Sequence, residues 1–211
     1  MLTDYKLFAG FTEDQANRLM TVLDARERKY GAGETILREG ETNYYIRLLL
    51  IGSAKCVKYA VSGGSEVYIN LQAGSIFGGV IAVSGGEPSE VSVIAVTQCR
   101  CLLIDYRSVI SSEIGEAELR MKLVAAITRS LSEKYFALRD RLDCITQPTL
   151  RQKILCYLRF ECGKSGVAYT QYDREGMAAY LCCDRSALSR ELSRMQKEGI
   201  IEYYKNSFKL V

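Results

Sequence analysis

The sequence predicts an α+β protein. It should hold an N-terminal β-roll of the double-stranded β-helix or jelly-roll type, one long helix, and a small helical module closed by a hairpin. Three observations predict it. From Tyr30 to about Ile104, glycine recurs roughly every ten residues between short runs rich in β-branched and aromatic side chains. From Glu113 to Ile145 there is no proline, and no glycine after Gly115, while apolar residues recur at spacings of three and four. Beyond Pro148 come further helical stretches and a terminal alternating run, IIEYYKNSFKLV.

Composition sets bounds on function. With 211 residues the chain is long enough to bury a core as one large or two modest domains. No apolar run approaches the ~18 residues that span a bilayer, so no membrane partner is expected. The N-terminus, MLTDYKLFAGFTED, lacks a basic segment followed by an apolar one, which predicts a cytoplasmic protein. The eight cysteines are spread without a CxxC pair, which is neither a disulfide framework nor a zinc signature. Histidine is absent, which excludes His-based acid–base catalysis, Ser-His-Asp triads and His-ligated zinc or haem. An enzyme is therefore not expected. A net charge of +3 does not by itself imply nucleic-acid binding. The distribution says more: over 185–211, Arg185, Arg190, Arg194, Lys197, Lys205 and Lys209 stand against Glu191, Glu198 and Glu202.

Residues 1–112 are read as the roll domain. A short helix should start at a Thr12 cap and run through EDQANRLMTVL. The roll follows as YYIRLLLI (44–51), AKCVKY (54–59), EVYINL (66–71) and EVSVIAV (90–96), with turns at Gly63-Gly64, Gly78-Gly79 and Gly85-Gly86. Residues 113–145 form the long helix. Its Met121, Val124, Thr128, Leu131, Tyr135, Leu138, Leu142 and Ile145 make a heptad seam. A helix packed on its own roll would also show an apolar stripe, but this one outlasts what a small roll can cover. It is therefore read as a homodimer interface, with Val124, Leu131, Tyr135, Leu138 and Leu142 at its centre.

Residues 146–211 are read as a winged helix module: LRQKILCYLRFE, a loop around Gly163–Gly166, two further helices, and a hairpin turning at Lys205-Asn206. REGMAAYL (174–181) is the first helix of a pair, and DRSALSRELSRMQKEG (184–199) supplies the second, capped by Asp184 and stopped by Gly199. Leu188, Leu192 and Met195 share its inner face. Arg185, Ser186, Ser189, Arg190, Ser193, Arg194 and Lys197 are left outside, a surface suited to a DNA major groove. Cys182 and Cys183 between the helices attract attention but have no ligand partner at a useful spacing. Cys182 falls at the turn, where glycine is common, and Cys183 where a small apolar residue plugs the junction.

With these residues placed, the chain resembles the Crp/Fnr superfamily of bacterial transcription regulators along essentially its whole length. GAGETILREGE (31–41) resembles that family's first roll strands, and LQAGSIFGG (71–79) its glycine-rich turn before the effector pocket. The resemblance implies a homodimer on a pseudo-palindromic double-stranded DNA site, with RNA polymerase as a further possible partner. It implies DNA contacts from Arg185, Ser186, Ser189, Arg190 and Arg194. Arg185 takes the place of a usual phosphate contact and Arg190 that of a base reader. Ser186 stands where glutamate is common. In the sensing domain, FGGVIAVSGGEPSEVSV (77–93) departs from the cyclic AMP pattern: Gly79 replaces the ribose-binding glutamate, and Ser89-Glu90 lie near the expected arginine. A small-molecule effector other than cyclic AMP is expected, near Gly78, Gly79, Ser89, Glu90, Lys134 and Tyr135. No haem, iron–sulfur cluster or other metal is expected, since histidine is absent and the first cysteine is Cys56. Cys99 and Cys101 share one face of a strand and are read as small core residues. A thiol-based redox switch at this pair is the alternative function. A cupin-type enzyme, which also uses a small roll, is a remote one.

Overall fold

The computed structural model describes every residue except 60–64, 112, 163–165 and 171, and only the backbone of 59 and 65–68. Gly63-Gly64 and Gly163, which the sequence places in turns, lie outside the described residues. The chain divides into two compact units, Met1–Ser132 and Glu133–Val211.

In the first unit α1 (Glu13–Val22) starts in a capping box: the Thr12 hydroxyl accepts from the Gln15 amide at 3.2 Å, and the Gln15 side chain accepts from the Thr12 amide at 3.1 Å. The roll is built from β1 (Arg26–Tyr30), β2 (Thr35–Leu37), β3 (Tyr45–Ile51), β4 (Ser53–Tyr59), β5 (Ser65–Gln72), β6 (Ile76–Phe77), β7 (Ser92–Ala95) and β8 (Cys99–Asp105). These strands pair antiparallel in two four-stranded sheets, ordered β1-β8-β3-β6 and β2-β7-β4-β5. One short helix, α2 (Gly79–Val83), interrupts the strand sequence between β6 and β7, and another, α3 (Tyr106–Ile110), follows β8.

Strand β3 is apolar on both faces except for Arg47, because it is covered on both sides. Ile46, Leu48 and Leu50, with Leu102 and Ile104 of β8, pack against Leu19 of α1 and against Leu119, Leu123 and Ile127. Leu49, with Cys101 of β8 and Phe77 of β6, faces the inside of the roll among Tyr30, Leu37, Val93 and Ala95. The two-residue alternation of a strand sorts one stretch of sequence into two cores.

The long helix α4 runs from Ala117 to Ile145, starting later than the change of composition at Glu113. Gly115 and Glu116, the latter at φ 59°, keep the preceding turn out of helical geometry. Buried Arg120 ties that turn down, donating from Nε to the Gly115 carbonyl at 2.9 Å and from Nη1 to the Val109 carbonyl at 3.0 Å.

In the second unit Pro148 separates the end of α4 from α5 (Leu150–Cys162). Then come β9 (Val167–Tyr169), α6 (Arg174–Tyr180), α7 (Arg185–Lys197), β10 (Ile201–Tyr204) and β11 (Ser207–Leu210). Cys144, Ile154, Tyr157, Leu158, Met177, Leu181, Leu188, Leu192, Met195, Ile201 and Phe208 form one buried cluster. The expected hairpin is there, and β9 adds a third strand to it in the order β10-β11-β9. Three residues, Val167–Tyr169, are too few to show a strand period in sequence. Among the described residues no helix is long and apolar enough to cross a membrane.

Candidate nucleic-acid interface

The α6–α7 turn sets the orientation of α7. Cys182 sits at φ 49°, the left-handed region where glycine is at ease, and so forms the tight turn at a backbone cost. Cys183 is half-buried against the cluster of the second unit. Asp184 caps α7, accepting from the Ser186 and Ala187 amides at 2.9 Å each, and the hydrogen bond from the Ser186 hydroxyl, followed by these amide bonds, holds its carboxyl below the usual carboxylate range. Leu188, Leu192 and Met195 are fully buried, which fixes the helix roll and leaves Arg185, Ser186, Ser189, Arg190, Ser193, Arg194 and Lys197 exposed.

The exposed side chains are not equally available. Ser186 Oγ donates to Asp184 Oδ1 at 2.5 Å and accepts from Arg190 Nη1 at 3.0 Å. Ser186 thus holds the Arg190 guanidinium toward the N-terminus of α7. Ser189 and Ser193 donate back to the carbonyls of Arg185 and Ser189, at 3.0 Å each. Arg194 approaches Glu191 at 3.3 Å. That carboxylate is also held by Arg151 of α5 at 2.7 Å, and Arg151 reaches Glu198 as well. The acid on α7, Glu191, is therefore paired from α5 as well as from its own helix. Among the described residues no carboxylate forms an ion pair with Arg185 or Arg190.

Two basic residues that the sequence reading did not assign as DNA contacts, Arg174 and Lys205, border this surface. A cleft of about 580 Å³ is lined by Asp173, Arg174, Glu175, Arg185, Lys205 and Asn206, between the start of α6, the start of α7 and the hairpin tip. Arg174 donates to the Lys205 carbonyl at 2.8 Å, and its guanidinium lies 4.9 Å from the Phe208 ring centre and 5.1 Å from that of Tyr203. Its position as the first residue of the leading helix, and that of Lys205 at the hairpin tip, were the available signals.

The candidate effector residues are divided between the units. In the first unit Gly78 adopts φ +72° at the start of α2, and a Cβ there would stand 2.9 Å from the Tyr45 carbonyl oxygen. Gly79 is buried, with Leu131 and Ile46 about it. The buried Ser89 hydroxyl donates to the Val91 carbonyl at 2.7 Å, and Glu90 is exposed. Lys134 and Tyr135 belong to the second unit. A charged group missed in the sequence lies beside Gly78: Arg47, buried in β3. Cys99 and Cys101 are both buried; burial raises the Cys99 thiol and pushes Cys101 up to about 12. Such thiols stay protonated at neutral pH and pack as small apolar groups. Along α4, Val124 and Leu131 are half-buried on the core of the first unit, while Tyr135, Leu138 and Leu142 are exposed.

Residues 27–111 match the family described as cyclic nucleotide-binding domain. No curated protein matches the chain. Among solved structures, the fold is similar to that of the catabolite activator protein of Thermus thermophilus, at 18% identity, with 98% of this chain and 93% of that one covered and a TM-score of 0.50. It is similar to the c-di-GMP responsive global regulator CLP of Xanthomonas campestris, at 15% identity, 94% and 99% coverage and a TM-score of 0.59. A cyclic nucleotide-binding domain from Methylobacillus flagellatus aligns at 19% identity over 71% of this chain and 82% of that one, with a TM-score of 0.59.

Proposed function

We propose, from the Crp/Fnr superfamily fold that this chain carries, that it is a homodimeric, sequence-specific DNA-binding transcription regulator of the cytoplasm. Residues 1–112 sense a small molecule, 113–145 dimerise and 146–211 bind DNA. The observation that carries the reading is α7. Its capped N-terminus presents Arg185 and Arg190 free of any carboxylate ion pair among the described residues, while its one central acid is tied to Arg151. Arg190 is suited to donate two hydrogen bonds to guanine O6 and N7. Arg174 and Lys205 flank it as phosphate contacts on the hairpin side.

The sensing chemistry differs from that of a cyclic AMP receptor. Gly79 supplies no carboxylate for a ribose hydroxyl, and Glu90 near the phosphate position would repel one by Coulomb's law. Arg190→Ala tests the DNA reading. Specific affinity is expected to weaken by roughly 1–3 kcal/mol with non-specific affinity little changed. An equal fall in both would show that Arg190 reads no base.

A further inference from the structure

We propose that the sensing domain holds an anion site centred on Arg47, and that its ligand is a small organic acid whose carboxylate meets this guanidinium and whose body is apolar. The inference names a ligand class for the effector region described above, and its regulatory consequence rests on that reading.

Arg47 lies in the middle of β3, where Leu103 of β8 and Phe77 of β6 are its register partners. It is only 4% exposed. Its Nη1 donates to Asn43 Oδ1 and, at 3.3 Å, to the Tyr45 carbonyl, while its Nε is buried with no partner at all. Among the described residues no carboxylate lies within ion-pair distance of it. Burial weakens the guanidinium's hold on its proton, and Tyr30 and Glu41 only partly offset this. A charge withdrawn from water without a counter-charge is among the most unfavourable groups a core can contain, and a well-packed apolar residue in its place is usually better tolerated. A ligand that brings the missing negative charge removes that penalty. Gly78 lets the turn before α2 approach the same group: a Cβ there would stand 3.2 Å from Arg47 Nη1 and 3.0 Å from Asn43 Nδ2.

The surroundings choose the ligand. The edge of a guanidinium that includes Nε presents two donors to the two oxygens of a carboxylate. One buried cation with neutral Asn43 and Tyr30 beside it matches a single negative charge rather than a phosphate dianion. Around the site Leu49, Phe77 and Cys101 are buried, and Ile81, Val91 and Leu103 complete the cluster half-buried, still reached by solvent. These side chains suit an apolar body and leave sugar hydroxyls without partners.

The test is thermal melting of the full chain at constant ionic strength with sodium benzoate, sodium acetate or sodium phosphate. Benzoate is expected to raise the wild-type Tm by about 3–6 °C once it exceeds its dissociation constant tenfold, with a smaller rise from acetate and none from phosphate. The benzoate shift should vanish in Arg47→Gln and Arg47→Met, and Arg47→Met without ligand should melt above the wild type. No benzoate shift in the wild type overturns the site, as does a shift that survives in both variants. A phosphate shift without a benzoate shift overturns the ligand class. Operator binding by the wild type, measured both with and without added benzoate, tests the regulator reading separately; its absence under both conditions would sink that reading and leave the melting result standing.

Discussion

Leu138→Ala should weaken a homodimer without unfolding either unit. Leu138 is 66% exposed on α4, in a seam with the exposed side chains of Tyr135 and Leu142. Full burial of a leucine side chain stabilises by about 1.5–3 kcal/mol. About two-thirds of that area is still in water, and alanine keeps part of it, so the loss is about 1–1.5 kcal/mol per chain. Two-fold symmetry applies the loss twice, for about 2–3 kcal/mol in all, which raises the dimer dissociation constant roughly 30- to 150-fold. Sedimentation velocity over a concentration series reads this directly. Glu133→Ala, at the heptad position facing away from the seam, is the control and should leave the constant within about twofold. An unchanged constant in Leu138→Ala would refute the seam, and so would a wild type that stays monomeric throughout.

Three further outcomes follow from the same structure. Cys182→Gly should stabilise the protein in urea by about 0.5–1 kcal/mol, because relief of a left-handed L-residue, about 1–2 kcal/mol, exceeds the entropic cost of glycine, about 0.4–1 kcal/mol; a lower urea midpoint would count against the strained turn. Asp105 caps α3 and is held below its ordinary 3.8 chiefly by hydrogen bonds from Arg107. Its folded pKa is thus below its unfolded one, so the wild type's advantage over Asp105→Asn should be full above about pH 5 and shrink as pH falls through 3.8 and below. A difference that does not change with pH over this range would contradict the pairing. With iodoacetamide at pH 8, exposed Cys182 should react first, while Cys101, with roughly one thiolate in ten thousand, should remain unmodified in the folded protein. Modification of Cys101 at the rate of Cys182 would favour the redox switch instead.

Much of this architecture is legible because it rests on local rules. Asp184 and Gly199 bracket α7 by their own capping chemistry, and Gly199 has the positive φ of a helix stop. Leu188, Leu192 and Met195 declare the inner face by spacing alone, and Cys182 occupies a turn position whose strain follows from its neighbours. What escaped depends on contacts between distant segments. Nothing in YYIRLLLI says that Arg47 is covered on its own side of the strand, since that depends on β6 and β8 arriving there. Arg151 and Glu191 are 40 residues apart, so the pairing of the acid in α7 from α5 is invisible in sequence. Ser186 reads as a groove contact, whereas in the folded chain its hydroxyl links Asp184 to Arg190. The β9 strand was missed because three residues acquire their conformation from β11, not from their own pattern.

The central claim is that two copies of α7 read DNA as a symmetric pair. Selection of bound sequences from random double-stranded DNA by the full chain tests it most directly. The structure predicts an enriched pseudo-palindrome whose half-site centres lie about 34 Å, one helical turn, apart and whose symmetric guanines are lost from the selection with Arg190→Ala. Enrichment of an unsymmetrical motif, or of none, would contradict it.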